Sequence, residues 1–363
     1  MHPEANEGFL PEPRVPVEGL LTILVPTRNR PAFLARLLRF IGTLQIRHSV
    51  VIMDSSDPKN AELNAGNVER VRLNQGVDVR IHPTTQGLLE KMASALALVS
   101  TPYACFWADD DFQLPEGLEA CIRELEARLS IGCCLGRMLA VRIGPDSFEG
   151  HELACPAREE TAADLRLWLW SRNFYSTFYA VYRTPQLRRS LEITVAASVY
   201  EHCRMIPEIL LGQLSLVLGA QGAVDVTSIV YQMHPANDSR ITPRVVDHKR
   251  FPQEYARYRA AITPIVSATS GLTEAEAGRL VDRSYRNIHY WTGGRWWLLK
   301  KVADNLRRPW LRLQLWLDRY RKVPWFPKVP KRKLTDLELS RQSGSAALAL
   351  ELIRRFPHGI HDP

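Results

Sequence analysis

Leu20-Leu21-Thr22-Ile23-Leu24-Val25 is a nearly unbroken apolar run ended by Pro26, the pattern of a strand buried on both faces. Pro31 suits a first helical turn, and Phe33, Leu34, Leu37, Leu38 and Ile41 then recur at helical spacing as far as Gly42. The alternation continues with a strand at 49–53, a polar loop holding Asp54 and Asp57, and a strand at 77–81. A helix over 87–99 follows, then a strand at 103–107 that runs straight into Asp109-Asp110-Asp111. Strands separated by crossover helices predict an α/β domain built on a mainly parallel sheet. Further on, aromatic residues predict a strand over 173–182, and apolar ones a helix over 206–218 and a strand over 224–231. Pro324, Pro327 and Pro330 interrupt a helical, basic stretch before a last amphipathic helix at 346–356. The chain thus divides into a Pro-rich leader (1–17), an α/β domain (18–240) and a helical, basic, Trp-rich region (241–363).

In sheets of this kind ligands bind beyond the carboxyl ends of the strands. Thr27-Arg28-Asn29-Arg30, the stretch Asp54 to Asp57, and Asp109 to Asp111 each follow a predicted strand, so polar groups far apart in sequence are expected at one crevice. Three adjacent carboxylates at the end of a buried strand repel one another and resist desolvation unless something cationic neutralises them. Mg²⁺ or Mn²⁺, hard ions that bridge carboxylates to phosphate oxygens, would do so. The alternative is a solvated acidic turn, or a cap for a helix that Pro115 and Glu116 start just afterwards.

Composition excludes several classes. With 45% hydrophobic and 24% charged residues, the 363-residue chain can bury a core and is not disordered. No apolar run approaches the roughly 18 to 20 residues of a membrane-spanning helix, and residues 1–16 lack the pattern of a secretory signal, so the expected location is the cytoplasm. Six cysteines without C-x-x-C spacing are expected to be buried thiols. The net charge of +8 is local: residues 286–333 hold fourteen Lys or Arg against two acids, an excess of +12 that leaves the rest of the chain at −4. Six of the nine tryptophans (Trp291, Trp296, Trp297, Trp310, Trp316 and Trp325) lie in that stretch. Cations mixed with Trp suit an anionic membrane surface, at the inner face of the plasma membrane. A helical subdomain with its Trp side chains inside, or a nucleic-acid surface, fits the same pattern; no RRM, KH or zinc-finger pattern supports nucleic acid.

The stretch Leu21 to Pro31, Asp54 after the second strand, and Ala108-Asp109-Asp110-Asp111-Phe112 with Leu114-Pro115 together resemble glycosyltransferase family 2 over about residues 20–235. The nearest pattern is a bacterial branch whose acidic motif reads Ala-Asp-Asp-Asp-Phe. The resemblance implies a GT-A fold, a nucleotide-diphosphate sugar as donor, a divalent metal, and transfer with inversion to a glycan or lipid-linked acceptor. By position, Pro26, Thr27, Arg28, Asn29 and Arg30 would line the nucleotide, Asp54 would contact base or ribose, and Lys91 would sit near the phosphates. Asp109, Asp110 and Asp111 would form the metal and ribose site, with Asp111 the first choice of metal ligand, then Asp109, and His234 as a further ligand or an ordinary hydrogen-bonded histidine. The commoner pattern has an acid where Ala108 stands. The general base is expected at Glu208, with Glu201 the rival; for both, a first-turn Glu favoured by the helix dipole is the competing explanation. The function of another class that stays open is a non-enzymatic nucleic-acid or anionic-membrane binding module with a degenerate α/β domain.

Overall fold

The computed structural model describes residues 18–143, 148–197, 205–234, 251–292, 331–335, 338–339, 341–342 and 344–360, and the side chains of 289–292 and 331 are not among them. The opening follows the hydrophobic pattern: β1 (Leu21–Thr27), α1 (Pro31–Thr43), β2 (Ser49–Asp54), α2 (Pro58–Gln75), β3 (Val79–Pro83), α3 (Leu88–Ala97) and β4 (Tyr103–Phe106). β3, β2, β1 and β4 lie side by side, all parallel. Leu21, Ile23 and Val25 face one apolar cluster with Leu34, Leu37, Leu38 and Ile41 of α1, while Leu24 faces another with Leu89, Met92 and Leu96 of α3. This alternation buries β1 on both faces and explains its unbroken apolar run.

α2 is a helix that the apolar pattern does not predict. Only Asn64, Val68 and Val71 of its eighteen residues are buried, too few to show a helical period. Its ends are nevertheless marked: the Asp57 carboxylate caps the Asn60 amide at 3.0 Å, Pro58 occupies the first turn, and Gly76 closes the helix in the left-handed region at φ 66°.

Beyond β4 the sheet turns mixed. β5 (Phe112–Gln113), α4 (Pro115–Ala127), the long β6 (Ile131–Ile143), β7 (Phe148–Leu153), α5 (Ala163–Arg172), β8 (Val181–Arg183), α6 (Thr184–Ala196), α7 (Met205–Leu218) and the long β9 (Ala220–Met233) follow in order. β8 joins β4 to β6 through antiparallel pairing, and β9 runs parallel to β6 while pairing antiparallel with β5. The strand expected over 173–182 is confined to Val181–Arg183. Phe174 and Tyr175 instead fold their rings edge-on against Trp170 at the end of α5, which leaves 173–180 as a loop.

The later residues add two pieces. α8 (Pro252–Ser270) and α9 (Glu274–Thr292) pack on α5 and α7 around Trp170, Ile209, Tyr258, Ile262, Val281 and Tyr285. β10 (Lys331–Leu334) pairs with β7, and α10 (Gly344–Arg355) returns to the main core through Ala349, Leu350 and Ile353. Most of the basic stretch 286–333, with the side chains of its six tryptophans, lies outside the described residues, as does Glu201. No helix among the described residues is long and apolar enough to cross a membrane.

Candidate active site

The parallel register sets Thr27 beside Asp54, so the ends of β1 and β2 deliver both to the same edge, and β4, on the other side of β1, delivers the acidic turn next to them. Thr27 Oγ1 donates to Asp109 Oδ2 at 2.8 Å. The Arg30 guanidinium forks across the turn, Nη1 to Asp109 Oδ1 at 2.6 Å and Nη2 to Asp110 Oδ2 at 2.7 Å. Asp110 Oδ2 also lies 2.8 Å from Nε2 of His234, whose ring stacks on Phe33 at 5.1 Å, and the Arg30 guanidinium covers the same Phe33 ring at 4.4 Å.

Asp54 belongs to a second polar group. Its carboxylate accepts the Ser56 amide at 2.9 Å and the Asn64 side-chain amide of α2 at 2.8 Å. Asn29, in the left-handed region at φ 55°, donates its amide to Ser56 Oγ at 2.7 Å and accepts the Asp57 amide at 2.9 Å. Lys91 joins the two groups, donating to the Thr27 carbonyl at 2.8 Å and to Ser55 Oγ at 3.0 Å. Arg28 is exposed, and Pro26, opposite Met53, is half-buried.

The three aspartates differ in electrostatics. Burial pushes the Asp109 carboxyl up to about 6 against the pull of Arg30. Burial opposes the charge on Asp110 as well, but the His234 bond and Arg30 outweigh it and hold that carboxyl down at about 2. Asp111 is pushed well above the usual range by burial and then by the charge on Asp110, against hydrogen bonds from Tyr179 and Gln232. Burial opposes the charge on Arg30 too, yet the neighbouring carboxylates raise its pKa further. Lys91 is lowered to about 8 by burial, against the attraction of Asp109 and Asp54.

Asp111 has a different set of partners from the other two. Its Oδ1 accepts the Gln232 amide of β9 at 2.8 Å, its Oδ2 accepts the Tyr179 hydroxyl, and its backbone carbonyl accepts the Trp107 indole N–H at 2.7 Å. β5 follows the turn directly and pairs Phe112 with Val230, which is why Gln232 and His234 come to flank it. Tyr179, Gln232, Asn64 and Phe33 escaped the sequence pattern. The strand expected over 224–231 runs on to Met233 in the structure, which is what brings Gln232 to the turn.

Glu208 lies in the first turn of α7, half-buried, its carboxyl raised by burial against a hydrogen bond from Ser176. Ser176 and Tyr179 sit on the same loop, so that loop touches Glu208 at one point and Asp111 at the other.

Residues 22–191 match the family model described as Glycosyl transferase family 2. Among solved structures, S. aureus TarS 1-349 in complex with UDP-GlcNAc is similar at TM-score 0.52 and 15% identity, over 74% of this chain and 72% of that one. The mannosyltransferase PcManGT from Pyrobaculum calidifontis, in complex with GDP-Man and Mn²⁺, aligns at TM-score 0.44 and 14% identity over 83% of this chain and 85% of that one. No curated protein matches the sequence. The match over residues 22–191 is thus to the glycosyl transferase family 2 model, and the chain has the GT-A glycosyltransferase fold.

Proposed function

We propose that the chain transfers a sugar from a nucleotide-sugar donor to an acceptor hydroxyl, with inversion, at the crevice between Asp54 and His234. The observation that carries this reading is the Asp110–His234 pair, 2.8 Å apart at the carboxyl edge of the parallel strands. A carboxylate oxygen and an imidazole nitrogen at this edge would hold a divalent cation together. Among the described residues no cluster of three or more His, Cys, Asp or Glu is placed to hold a metal. Asp110 and His234 would supply two ligands, here preferred to Asp111 and Asp109, whose carboxylates are engaged by Tyr179 and Gln232 and by Thr27 and Arg30. Donor phosphate oxygens and water would complete the shell, as is usual for Mg²⁺ and Mn²⁺. The carboxylate, phosphate and water oxygens of the set suit Mg²⁺ or Mn²⁺. When bound, the ion stabilises the negative charge that develops on the departing diphosphate.

The chain's own residues do the rest. Asp54, oriented by Asn64 and the Ser56 amide, accepts N–H or O–H groups of the nucleoside; Lys91 and Arg28 supply positive charge at the phosphates. Arg30 bridges Asp109 and Asp110 and would add positive charge beside the phosphates. Glu208 takes the proton of the acceptor hydroxyl as its oxygen bonds to the anomeric carbon and the carbon–oxygen bond to the diphosphate breaks. A carboxyl raised by burial suits a general base. Glu201 is the second choice for that role.

The test is a thermal-shift panel of UDP, GDP, CDP and dTDP with and without Mn²⁺, since a ligand that binds only the folded state raises apparent stability. UDP comes first, because the fold is shared with a TarS structure in complex with UDP-GlcNAc. A shift that needs Mn²⁺ and disappears in Asp110→Asn is expected. A folded protein that responds to none of the four sinks the proposal.

A further inference from the structure

Arg36 is fully buried, and its guanidinium hydrogen-bonds backbone carbonyls. Its Nη2 donates to the backbone carbonyl of Asp110 at 2.8 Å and its Nη1 to the carbonyl of Phe356, 320 residues away, at 2.9 Å. The guanidinium lies 5.1 Å from the rings of both Phe33 and Phe112. A leucine at this position of α1 would extend the apolar face without the desolvation that a cation suffers there. The arginine makes sense as a two-ended connection.

Gln232 forms a second connection of the same kind. Its amide N–H holds Asp111 Oδ1 at 2.8 Å, and its side-chain Nε2 donates to the carbonyl of Pro357 at 2.9 Å. Two adjacent carbonyls, of Phe356 and Pro357, are thereby tied to two adjacent aspartates. The segment is fixed in turn against the start of α1: Ile360 N–H donates to the Ala32 carbonyl at 2.8 Å, and Gly359 N–H to the Phe356 carbonyl at 3.1 Å. Gly359 has φ 90°, and a Cβ there would lie 2.3 Å from the Ala32 carbonyl carbon and 2.5 Å from the Phe33 nitrogen. Only glycine fits that approach. Phe33 is the ring on which His234 and Arg30 stack.

We infer that the segment Phe356–Ile360 positions the donor site: Arg36 and Gln232 fix the acidic turn against it, and Ala32–Phe33 fixes the platform under His234. Arg36 and Gln232 are positioning residues and touch no substrate. The inference rests on the assignment of Asp110 and His234 to the donor diphosphate, but the physical coupling can be read without it.

Two full-length variants test it. Gln232→Leu cuts the tie to Pro357 and keeps the backbone N–H on Asp111; Gly359→Val drives the segment away from Ala32. Hydrogen exchange across 108–113 and 230–234 should speed up by about tenfold or more in both, as expected when an anchored turn opens locally. Half-saturating Mn²⁺ for transfer from the donor found active should rise by about tenfold, the lower end for losing an outer partner of a metal ligand, while kcat at saturating Mn²⁺ falls less than about threefold. Arg36→Lys, which can keep only one of the two carbonyls, should fall between wild type and Gly359→Val in both measurements. Exchange that rises only across 31–36 and 356–360, with Mn²⁺ dependence unchanged, overturns the inference. If Gly359→Val does not fold, Gln232→Leu decides alone. A wild-type protein indifferent to nucleotide and Mn²⁺ counts against the transferase proposal, and the exchange measurement still decides the coupling.

Discussion

The acidic turn has an open side and a sealed side. On the open side Asp110 meets His234 and the half-exposed Arg30, and its carboxyl is held low; one residue on, Asp111 is enclosed by Tyr179 and the backbone of β9, and its carboxyl is raised. The same residue type at two adjacent positions thus sits in two different surroundings. A carboxylate whose partners are the part-exposed Arg30 and an imidazole nitrogen is suited to exchange them for a metal. One whose oxygens are both taken by fixed donors holds the turn in shape.

The largest effect should separate these tasks. Asp110→Asn is expected to lower turnover by about 10²–10³-fold, the scale of losing one preorganised electrostatic contact, with little change in unliganded Tm. Asp111→Leu should do the reverse in the unliganded protein: it strands the Tyr179 hydroxyl and the Gln232 N–H, at about 1–3 kcal/mol for each buried group, read as a lowered urea midpoint. Equal loss of stability in the two variants would erase the distinction.

Arg30→Ala sharpens the open side. It leaves Asp109 and Asp110 without their guanidinium, and because Arg30 is 28% exposed the destabilisation should be only about 1–2 kcal/mol. Mn²⁺ should raise the Tm of this variant more than that of wild type, since the competing cation is gone. Equal Mn²⁺ responses would show that Arg30 does not contend for the carboxylates.

The smallest effect is a pH dependence. Lys91 titrates at about 8, below the ordinary lysine value, so its charge is present at pH 7 and lost as pH rises through 8. Nucleotide affinity should weaken severalfold between about pH 7 and 9, and Lys91→Met should flatten that part of the profile. Stability of the unliganded protein moves the other way. The unfolded lysine keeps its proton to about 10.4, so raising the pH from 8 toward 10 favours the folded form at this group.

What could be read in the sequence follows from which forces act locally. β1, α1, β2 and β4 declare themselves because burial on one or two faces imposes a period on the residues that form them. α2 buries three side chains and so has no period, although the Asp57-Pro58 start and Gly76 stop mark it by capping chemistry alone. The convergence of Asp54, Arg30 and Asp109 to Asp111 was legible because each follows a strand at the ligand-facing edge, whereas Lys91 came only from the family resemblance. Tyr179 and Asn64 were not, since their place at the site depends on a loop and a helix face that no local pattern specifies. The aromatic run 173–182 misled for a related reason: aromatics favour strands through packing on a sheet, and here Phe174 and Tyr175 found Trp170 instead.

β9 also acts as a ruler. Its register with β6 slips at several points before Met138 and then runs evenly, Met138 with Ile229 through Arg142 with Met233, while β5 clamps Val230 opposite Phe112. Length changes early in β9 can be absorbed where the ladder already bulges. Between Val230 and His234 they cannot, because adding or removing one residue would reverse which side chains face the acidic turn. The spacing from Phe112's partner to the histidine is therefore a fixed dimension of this protein, set by strand geometry and indifferent to which side chains fill the interval.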